Sequence, residues 1–176
     1  DTEFKFALEA LLQERNIKKI IFDLRNNPGG YLGEVSTMLS YFVDSEKPTA
    51  IIDYIDREIK YSSRWYKLID FDDYELIFLQ NGWSASASEI MVWTVKDYYP
   101  EATIIWEQSF WKGSVQTLKS YSDWSTLKYT SAKWFTWNTK QGIDGVWITP
   151  DILLEFDSER WKKFKKDNQL EKAISY

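Results

Sequence analysis

The chain has 176 residues and a mass of 21.0 kDa, which is the size of one domain with its own hydrophobic core. Hydrophobic residues make up 44% of it and charged residues 28%. The net charge of -5 argues against a general nucleic-acid binder and, more weakly, against a purely electrostatic membrane partner. The absence of histidine and cysteine excludes Ser-His-Asp triads, cysteine proteases, zinc fingers and thiolate redox centres. Hydrolytic chemistry must therefore use serine, threonine, lysine, tyrosine or carboxylates.

The spacing of hydrophobic residues predicts helices that alternate with short strands. Helices are predicted at residues 2–14, 31–43 and 86–98, and strands at residues 19–24, 49–55, 75–80 and 102–107. From residue 115 to 135 the pattern is that of β-structure around a turn at Asp123, and the last thirty residues are predicted to be helical. The basic run from Arg160 to Lys166 is interpreted as a solvated helix face. We therefore expect a single α/β domain with a β-rich C-terminal half.

Three segments could support chemistry, and the first is DLRNNPGG at residues 23–30. It follows an apolar strand, and its two glycines can direct backbone N–H groups at an anionic centre because no Cβ stands in the way. The same residues are also common in ordinary turns, which is the alternative interpretation.

The second segment is SASASE at residues 84–89, where a predicted helix begins. A serine in the first helical turn lies near unpaired backbone N–H groups and the positive end of the helix dipole, where an oxyanion is stabilised. Because serine is a favoured N-cap and Glu89 completes a capping box, simple N-capping is the alternative interpretation.

The third segment is FWKGSVQ at residues 110–116, which places Lys112 in a turn between two apolar strands. A lysine acts as a general base only when burial or a cationic neighbour keeps it neutral, and Phe110 and Val115 would supply an apolar setting. A solvated loop lysine is the alternative interpretation.

Together with ITPD at residues 148–151 and DNQL at residues 167–170, these segments resemble the carboxy-terminal (tail-specific) processing proteases in order and spacing. The resemblance runs from about Phe4 to Ile174. It implies a serine protease with a Ser-Lys pair on an α/β core of the crotonase-like (ClpP/crotonase) type.

Carried over residue by residue, the resemblance also implies the roles of individual groups. Ser86 would be the nucleophile and Lys112 the general base, with Gln116 orienting the lysine. The oxyanion hole would consist of the backbone N–H groups of Ala87 and Gly29. Because a neutral lysine both takes and returns the proton, neither a metal nor a cofactor is expected.

The substrate implied by the resemblance is a protein with an exposed, fairly apolar C-terminus, held as an extended strand beside the sheet. Members of the family usually carry a PDZ domain ahead of the catalytic core and an export signal or membrane anchor, neither of which is in this sequence. The chain is therefore expected to be a fragment of a longer protein of the cell envelope, periplasmic, extracytoplasmic or membrane-anchored. No nucleic-acid partner is expected, and a homo-oligomer is left open.

Tryptophan is unusually frequent, with 10 Trp against 7 Gly. Turn positions with positive φ disfavour a bulky side chain by roughly 1–2 kcal/mol. We therefore hypothesise that the source organism reads UGA as glycine and that the printed sequence translates UGA as tryptophan. Trp65 and Trp137 are further candidates for recoded positions, Trp134 is interpreted as a genuine tryptophan, and Trp161 is left undecided. The family pattern has glycine where this chain has Trp83, Trp93, Trp106, Trp111, Trp124 and Trp147.

Two other functions remain open. The main alternative is a catalytically inactive peptide-binding homologue of the same fold, in which Trp83 and Trp111 are genuine and block the site. A carbohydrate-binding module or a carboxylate glycosidase rests only on the tryptophan content and the 27 acidic residues. No carboxylate pair in the sequence is recognisable as an acid/base constellation.

Overall fold

The structure, a computed structural model, describes residues 2–64, 67–70, 73–106, 113–142 and 149–176. Helices and strands alternate in the first part of the chain, and a β-hairpin and two short helices follow. The helices are α1 Thr2–Leu12, α2 Leu32–Leu39, α3 Ala87–Tyr98, α4 Ser158–Phe164 and α5 Asn168–Ser175. The strands are β1 Lys19–Asp23, β2 Pro48–Tyr54, β3 Glu58–Ser62, β4 Glu75–Gln80, β5 Thr103–Trp106, β6 Ser114–Ser120, β7 Thr126–Phe135 and β8 Ile152–Leu153.

One four-stranded sheet is parallel, with the strand order β1-β4-β5-β8. Every residue of β4 after Glu75 is buried, as expected for a parallel strand that is covered on both faces. Phe78 contributes to the larger core on one face, whereas Ile77 packs with Ala173 of α5 on the other. Because β1 and β4 are parallel neighbours, the loops that follow them emerge at the same edge of the sheet.

The second four-stranded sheet is antiparallel, with the strand order β3-β2-β7-β6. Its buried part includes Ile52 of β2, which pairs with Trp134 of β7, and both side chains are almost fully buried. The β6–β7 hairpin extends beyond this buried part, and its far end is exposed on both strands.

Helix α3 runs through the interior of the molecule. Its first nine residues, 87–95, are all buried, which is typical of a helix that packs on more than one side. Thr94 donates its hydroxyl to the carbonyl of Thr49 at 2.7 Å, and Tyr98 donates to the carbonyl of Pro48 at 2.7 Å. These bonds fix the C-terminal half of α3 to β2, so the helix has little freedom to shift its N-terminus.

Most of the predicted elements are confirmed. Strand β4 has the predicted bounds, α3 begins one residue after its predicted start, and the β-structure with a turn near Asp123 is the β6–β7 hairpin. The second helix is shorter than predicted, because the chain turns after Leu39. Strands β3 and β8 were not predicted, since β3 is largely polar and β8 has only two residues.

Two of the six suspect tryptophans have features that are unfavourable for tryptophan. Trp124, at the tip of the β6–β7 hairpin, has a φ of 66° and is 95% exposed. A positive φ in a bulky residue is a genuine outlier. Trp93 is buried in α3, and its indole Nε1 has no hydrogen-bond partner in the described part of the chain. A buried donor without an acceptor costs about 1–3 kcal/mol.

The positions of the other four are less informative. Trp83 lies in an exposed turn, and Trp106 is the last residue of β5. Trp111 and Trp147 lie outside the described residues. We propose that the recoding hypothesis holds, with Trp124 as the position best suited to test it.

We expect the protein isolated from its source organism to contain glycine at position 124, because the backbone there has a left-handed conformation. The tryptic peptide of residues 120–128 contains this position, and its mass distinguishes the two residues. A tryptophan mass would contradict recoding at this site. In a recombinant chain, Trp124→Gly should raise the free energy of unfolding by about 1 kcal/mol. The control Trp83→Gly, in a turn without a positive φ, should give no such gain.

Candidate active site

The loops that follow β1 and β4 touch each other at the edge of the parallel sheet. Gly29, in the first loop, has a φ of 87°. A methyl group built on it would lie 2.5 Å from the carbonyl oxygen of Ala85 and 2.6 Å from the backbone nitrogen of Ala87. It would also lie 2.9 Å from Cβ of Ser86. Both the backbone conformation and this close approach therefore require glycine at position 29.

The three serines of SASAS have different surroundings. Ser84 is fully buried and donates its hydroxyl to the carbonyl of Leu24 at 2.8 Å. Ser88 is also buried and donates to the carbonyl of Asn27 at 3.0 Å. Both serines thus join the second loop to the first. Ser86, between them, is half-buried and lines an open cleft, which makes it the serine that a substrate can reach.

Ser86 also has an unusual backbone, with a φ of 58° and a ψ of -117°. An N-cap residue normally lies in the β region, so this conformation is not explained by capping alone. Strain of this kind costs about 1–3 kcal/mol and persists where the surroundings over-determine it, as they often do at functional sites. Here Gly29 contacts Ser86 on one side, and the buried carboxylate of Glu89 accepts the Ser86 backbone N–H at 2.8 Å.

Ala87 is the first residue of α3. Its backbone N–H is therefore one of the four at the helix N-terminus that no carbonyl within the helix can accept. The helix dipole adds positive potential at this point. An oxyanion beside Ser86 would be stabilised by the Ala87 N–H and by the dipole of α3.

The second predicted oxyanion donor, the Gly29 N–H, is already engaged. It donates to Oδ1 of the Asn27 side chain at 3.0 Å. The main chain of Asn27 is fixed as well, because its carbonyl accepts the Ala85 N–H at 3.1 Å in addition to the Ser88 hydroxyl. The Asn27 side chain thus determines whether the Gly29 N–H is free to bind another acceptor. The sequence analysis did not identify this residue.

The cleft in front of Ser86 has a volume of about 420 Å³ and is also lined by Gly30, Tyr31 and Gln116. Gln116 lies on β6, in the antiparallel sheet, so the cleft is formed between the two sheets. Its Nε2 donates to Oγ1 of Thr130 at 2.8 Å. The structure therefore brings Ser86 and Gln116 to one cleft. The predicted base, Lys112, lies outside the described residues.

A smaller pocket of about 160 Å³ lies on the other side of Gly29 and Ala87. It is mainly apolar, with Leu24, Val35 and Met38 among its lining residues and Glu34 also contributing. Gly30 and Tyr31 line both this pocket and the Ser86 cleft, so the two are adjacent.

Arg25 joins two sequence motifs that are far apart in the chain. It binds Asp23 through two nitrogens, at 2.9 and 2.6 Å, and Asp167 at 2.8 Å. It also donates to Oε1 of Gln169 at 3.0 Å. The hydrogen bonds that Arg25 donates to Asp23 raise the pKa of Arg25. Burial opposes ionisation of Asp23, but the hydrogen bonds and charge of Arg25 outweigh it and lower the pKa of that carboxyl.

The remaining matched motif, ITPD, also has a structural role. Asp151 accepts a hydrogen bond from the Ile104 N–H at 2.8 Å and forms an ion pair with Lys96 at 3.0 Å. It thereby ties the C-terminal part of the chain to β5 and α3.

A third cleft, of about 850 Å³, is lined by residues that include Asn26, Trp83 and Trp161. Trp83 faces this cleft and is not among the residues that line the two pockets beside Gly29. It therefore does not block the Ser86 cleft.

Comparison with known proteins places the chain in a family. The model of peptidase family S41 matches residues 1–154, so the chain belongs to that family. Among the described helices, none combines the length and the apolarity that a bilayer-spanning segment needs.

Individual relatives are similar over most of this chain. A probable CtpA-like serine protease of Staphylococcus aureus is 39% identical over 140 residues, which are 79% of this chain and 28% of the relative. A protein of the same description from Staphylococcus epidermidis is 38% identical over 143 residues. The chain thus spans little more than a quarter of the length of these relatives.

Solved structures agree on the fold. The photosystem II D1 C-terminal processing protease has a TM-score of 0.73 and 25% identity, over 88% of this chain and 40% of that chain. A mature CPAF structure has a TM-score of 0.71 at 13% identity and covers 99% of this chain and 45% of its own. The mixed α/β architecture with a parallel and an antiparallel sheet is therefore that of S41 proteases.

We expect the serines of SASAS to differ in their contribution to stability. Ser84→Ala should lower the free energy of unfolding by about 1–3 kcal/mol, because it leaves the Asn81 N–H and the Leu24 carbonyl without their partner. Ser86→Ala should lower it by about 0.5 kcal/mol, the low end of the cost of losing an N-cap serine, because the Ser86 hydroxyl faces an open cleft. Urea denaturation of both variants measures the difference. Equal losses would contradict the distinction between a structural and an accessible serine.

Proposed function

We propose that this chain is the catalytic core of a C-terminal processing serine endopeptidase, with Ser86 as nucleophile and Lys112 as general base. The observation that carries the proposal is the setting of Ser86, an accessible serine with a strained backbone at a helix N-terminus, held against Gly29. The names of the relatives, CtpA-like serine protease and C-terminal processing protease, support the same class. We further propose that the core is of the crotonase type.

The reaction would proceed through an acyl-enzyme. Neutral Lys112 takes the hydroxyl proton of Ser86 while Oγ bonds to the scissile carbonyl carbon. The protonated lysine then gives this proton to the leaving amine as the C–N bond breaks. Water next attacks the ester, with lysine again taking a proton, and collapse of the second tetrahedral intermediate returns the proton to Ser86. Each proton that is taken up is released, so the cycle closes on the starting enzyme.

The oxyanion of both tetrahedral intermediates would accept the N–H groups of Ala87 and Gly29. For Gly29 this requires an exchange, because Asn27 Oδ1 accepts its N–H in the free enzyme. One hydrogen bond then replaces another, so the Gly29 N–H has an acceptor both before and after the oxyanion forms.

Gln116 would orient the base. Its Nε2 is fixed by Thr130, which leaves the direction of the carboxamide set by β7. The side-chain oxygen would accept a hydrogen bond from Lys112, four residues earlier in the chain, and hold the lysine nitrogen toward Ser86.

The substrate would be a protein with an exposed apolar C-terminal tail, bound as an extended segment in the Ser86 cleft. The apolar pocket of about 160 Å³ beside Gly29 and Ala87 supports this specificity. We also propose that the full-length protein carries a PDZ domain that captures the tail and acts in the cell envelope. A neighbour in fold, described as a lipoprotein from Streptococcus agalactiae, is consistent with such a location.

We expect Ser86→Ala and Lys112→Ala each to lower kcat/KM by at least about a thousandfold, since both remove a reacting group. The assay is proteolysis of a loosely folded protein with an apolar C-terminal tail. Lys112→Arg should not restore activity, because arginine keeps the charge but cannot act as a neutral base. Lys119→Ala, which alters an exposed lysine of β6, is the control that should retain activity.

The outcomes separate the candidate functions. Unchanged cleavage by both the Ser86 and the Lys112 variant would refute the mechanism. Tail binding by the unaltered chain without any turnover would favour the inactive peptide-binding homologue.

Met38→Asp should change the specificity, because it places a carboxylate in the apolar pocket beside Gly29. We expect kcat/KM for peptides with an apolar residue before the scissile bond to fall by about tenfold or more. Peptides with lysine at that position should lose less. Glu34→Gln, which alters an exposed residue of the same pocket, is the matched control and should keep the apolar preference. An unchanged preference in Met38→Asp would mean that the pocket does not receive the substrate.

A further inference from the structure

We propose that helix α4 and the residues just after it form a docking surface for membranes rich in anionic lipids. This surface is called the lysine–aromatic patch here. Its members are Trp161, Lys162, Lys163, Phe164, Lys165 and Lys166.

The patch is not part of the hydrophobic core. Helix α4 has no buried residue, and its two aromatic side chains, Trp161 and Phe164, are 42% and 58% exposed. The patch also lies outside residues 1–154, which the family model matches. The ring centre of Trp161 lies 6.3 Å from that of Phe156, but Trp161 remains exposed. Two exposed aromatic side chains on one short helix call for a partner.

The positive charge of the patch is available to a partner. Within the described residues, none of its four lysine ammonium groups forms an ion pair with a carboxylate. The neighbouring Arg160 differs, because it pairs with Glu171 at 2.7 Å. Lysines in the last turn of a helix are stabilised by the helix dipole, which explains the presence of Lys162 and Lys163. Lys165 and Lys166 lie beyond the last turn, so the dipole does not explain them. Because screening limits charge interactions to about 8 Å at physiological salt, this local cluster outweighs the net charge of -5.

Lysines flank the aromatic rings, which is the arrangement that a bilayer surface favours. Nζ of Lys163 lies 4.9 Å from the ring centre of Phe164, and Nζ of Lys165 lies 5.7 Å from that of Trp161. The rings can enter the headgroup region while the ammonium groups meet lipid phosphates. Binding by charge alone would use the ammonium groups but not the two rings, whereas the interface of a bilayer takes both. The membrane surface therefore fits both properties.

Docking would also orient the protein. Trp161 lines the cleft of about 850 Å³ together with Asn26 and Trp83, which belong to the two loops that meet at the candidate active site. A bilayer bound by the patch would lie beside this cleft. The docking itself does not depend on the proposed protease activity.

Co-sedimentation of the chain with vesicles tests the proposal. We expect binding to phosphatidylglycerol vesicles, weakening as salt is raised, and much weaker binding to phosphatidylcholine vesicles. Lys162→Gln combined with Lys163→Gln should lower binding by about twentyfold or more, at about fivefold for each lysine. The matched control combines Lys119→Gln with Lys128→Gln, which removes two exposed lysines from the β6–β7 hairpin and should leave binding nearly unchanged.

Phe164→Ser separates lipid binding from simple charge attraction. The substitution keeps every charge, so charge attraction alone predicts unchanged vesicle binding. Because we propose that the ring enters the bilayer surface, we expect binding to weaken by about tenfold. Because all of these side chains are exposed, the variants should melt at the temperature of the unaltered chain. No binding to phosphatidylglycerol vesicles at low salt, or equal losses in the two double variants, would overturn the proposal. Binding to single-stranded RNA but not to vesicles would overturn it as well.

Discussion

The rest of the candidate site depends on the contact between Gly29 and residues 85–87. Two loops from neighbouring parallel strands meet there with no room for even a methyl group. The contact brings the Gly29 and Ala87 backbones close together and holds Ser86 in a backbone conformation that serine rarely adopts. Hydrogen bonds from Ser84 and Ser88 to the first loop keep the two loops together. The serine-rich motif thus supplies its own support for the accessible serine between them.

The sequence predicted the parts of the fold that local pattern determines. Strand β4 and helix α3 were predicted almost to the residue, because a continuous apolar run and a serine-rich helix start are strong local signals. The conformation of Ser86 was not predictable, since it results from the contact with a loop some sixty residues earlier. The contact of Asn27 was missed for a different reason. Its side chain accepts the Gly29 N–H within the same loop, as many asparagines in turns do, so nothing in the sequence distinguishes it from an ordinary turn residue.

Contacts between residues far apart in the chain could not be predicted from the sequence either. The first and last of the matched motifs are about 140 residues apart in sequence, and Arg25 joins them directly through Asp167 and Gln169. Their order in the chain indicated a family but not a contact. The structure explains why DNQL belongs to the pattern: Asp167 caps α5 and at the same time holds the arginine beside the loop that carries Gly29.

The cleft between the two sheets has a consequence for when the protein can become active during its synthesis. Ser86 and its supporting loop are complete once the parallel strands β1 and β4 have paired. Gln116 reaches the same cleft only because its strand is held by β7, and β7 in turn pairs with β2, about 80 residues earlier. During synthesis, the chain up to β4 and α3 emerges before the residues that form the opposite wall of the cleft. Under the proposed function, cleavage would therefore have to wait until the β6–β7 hairpin is in place.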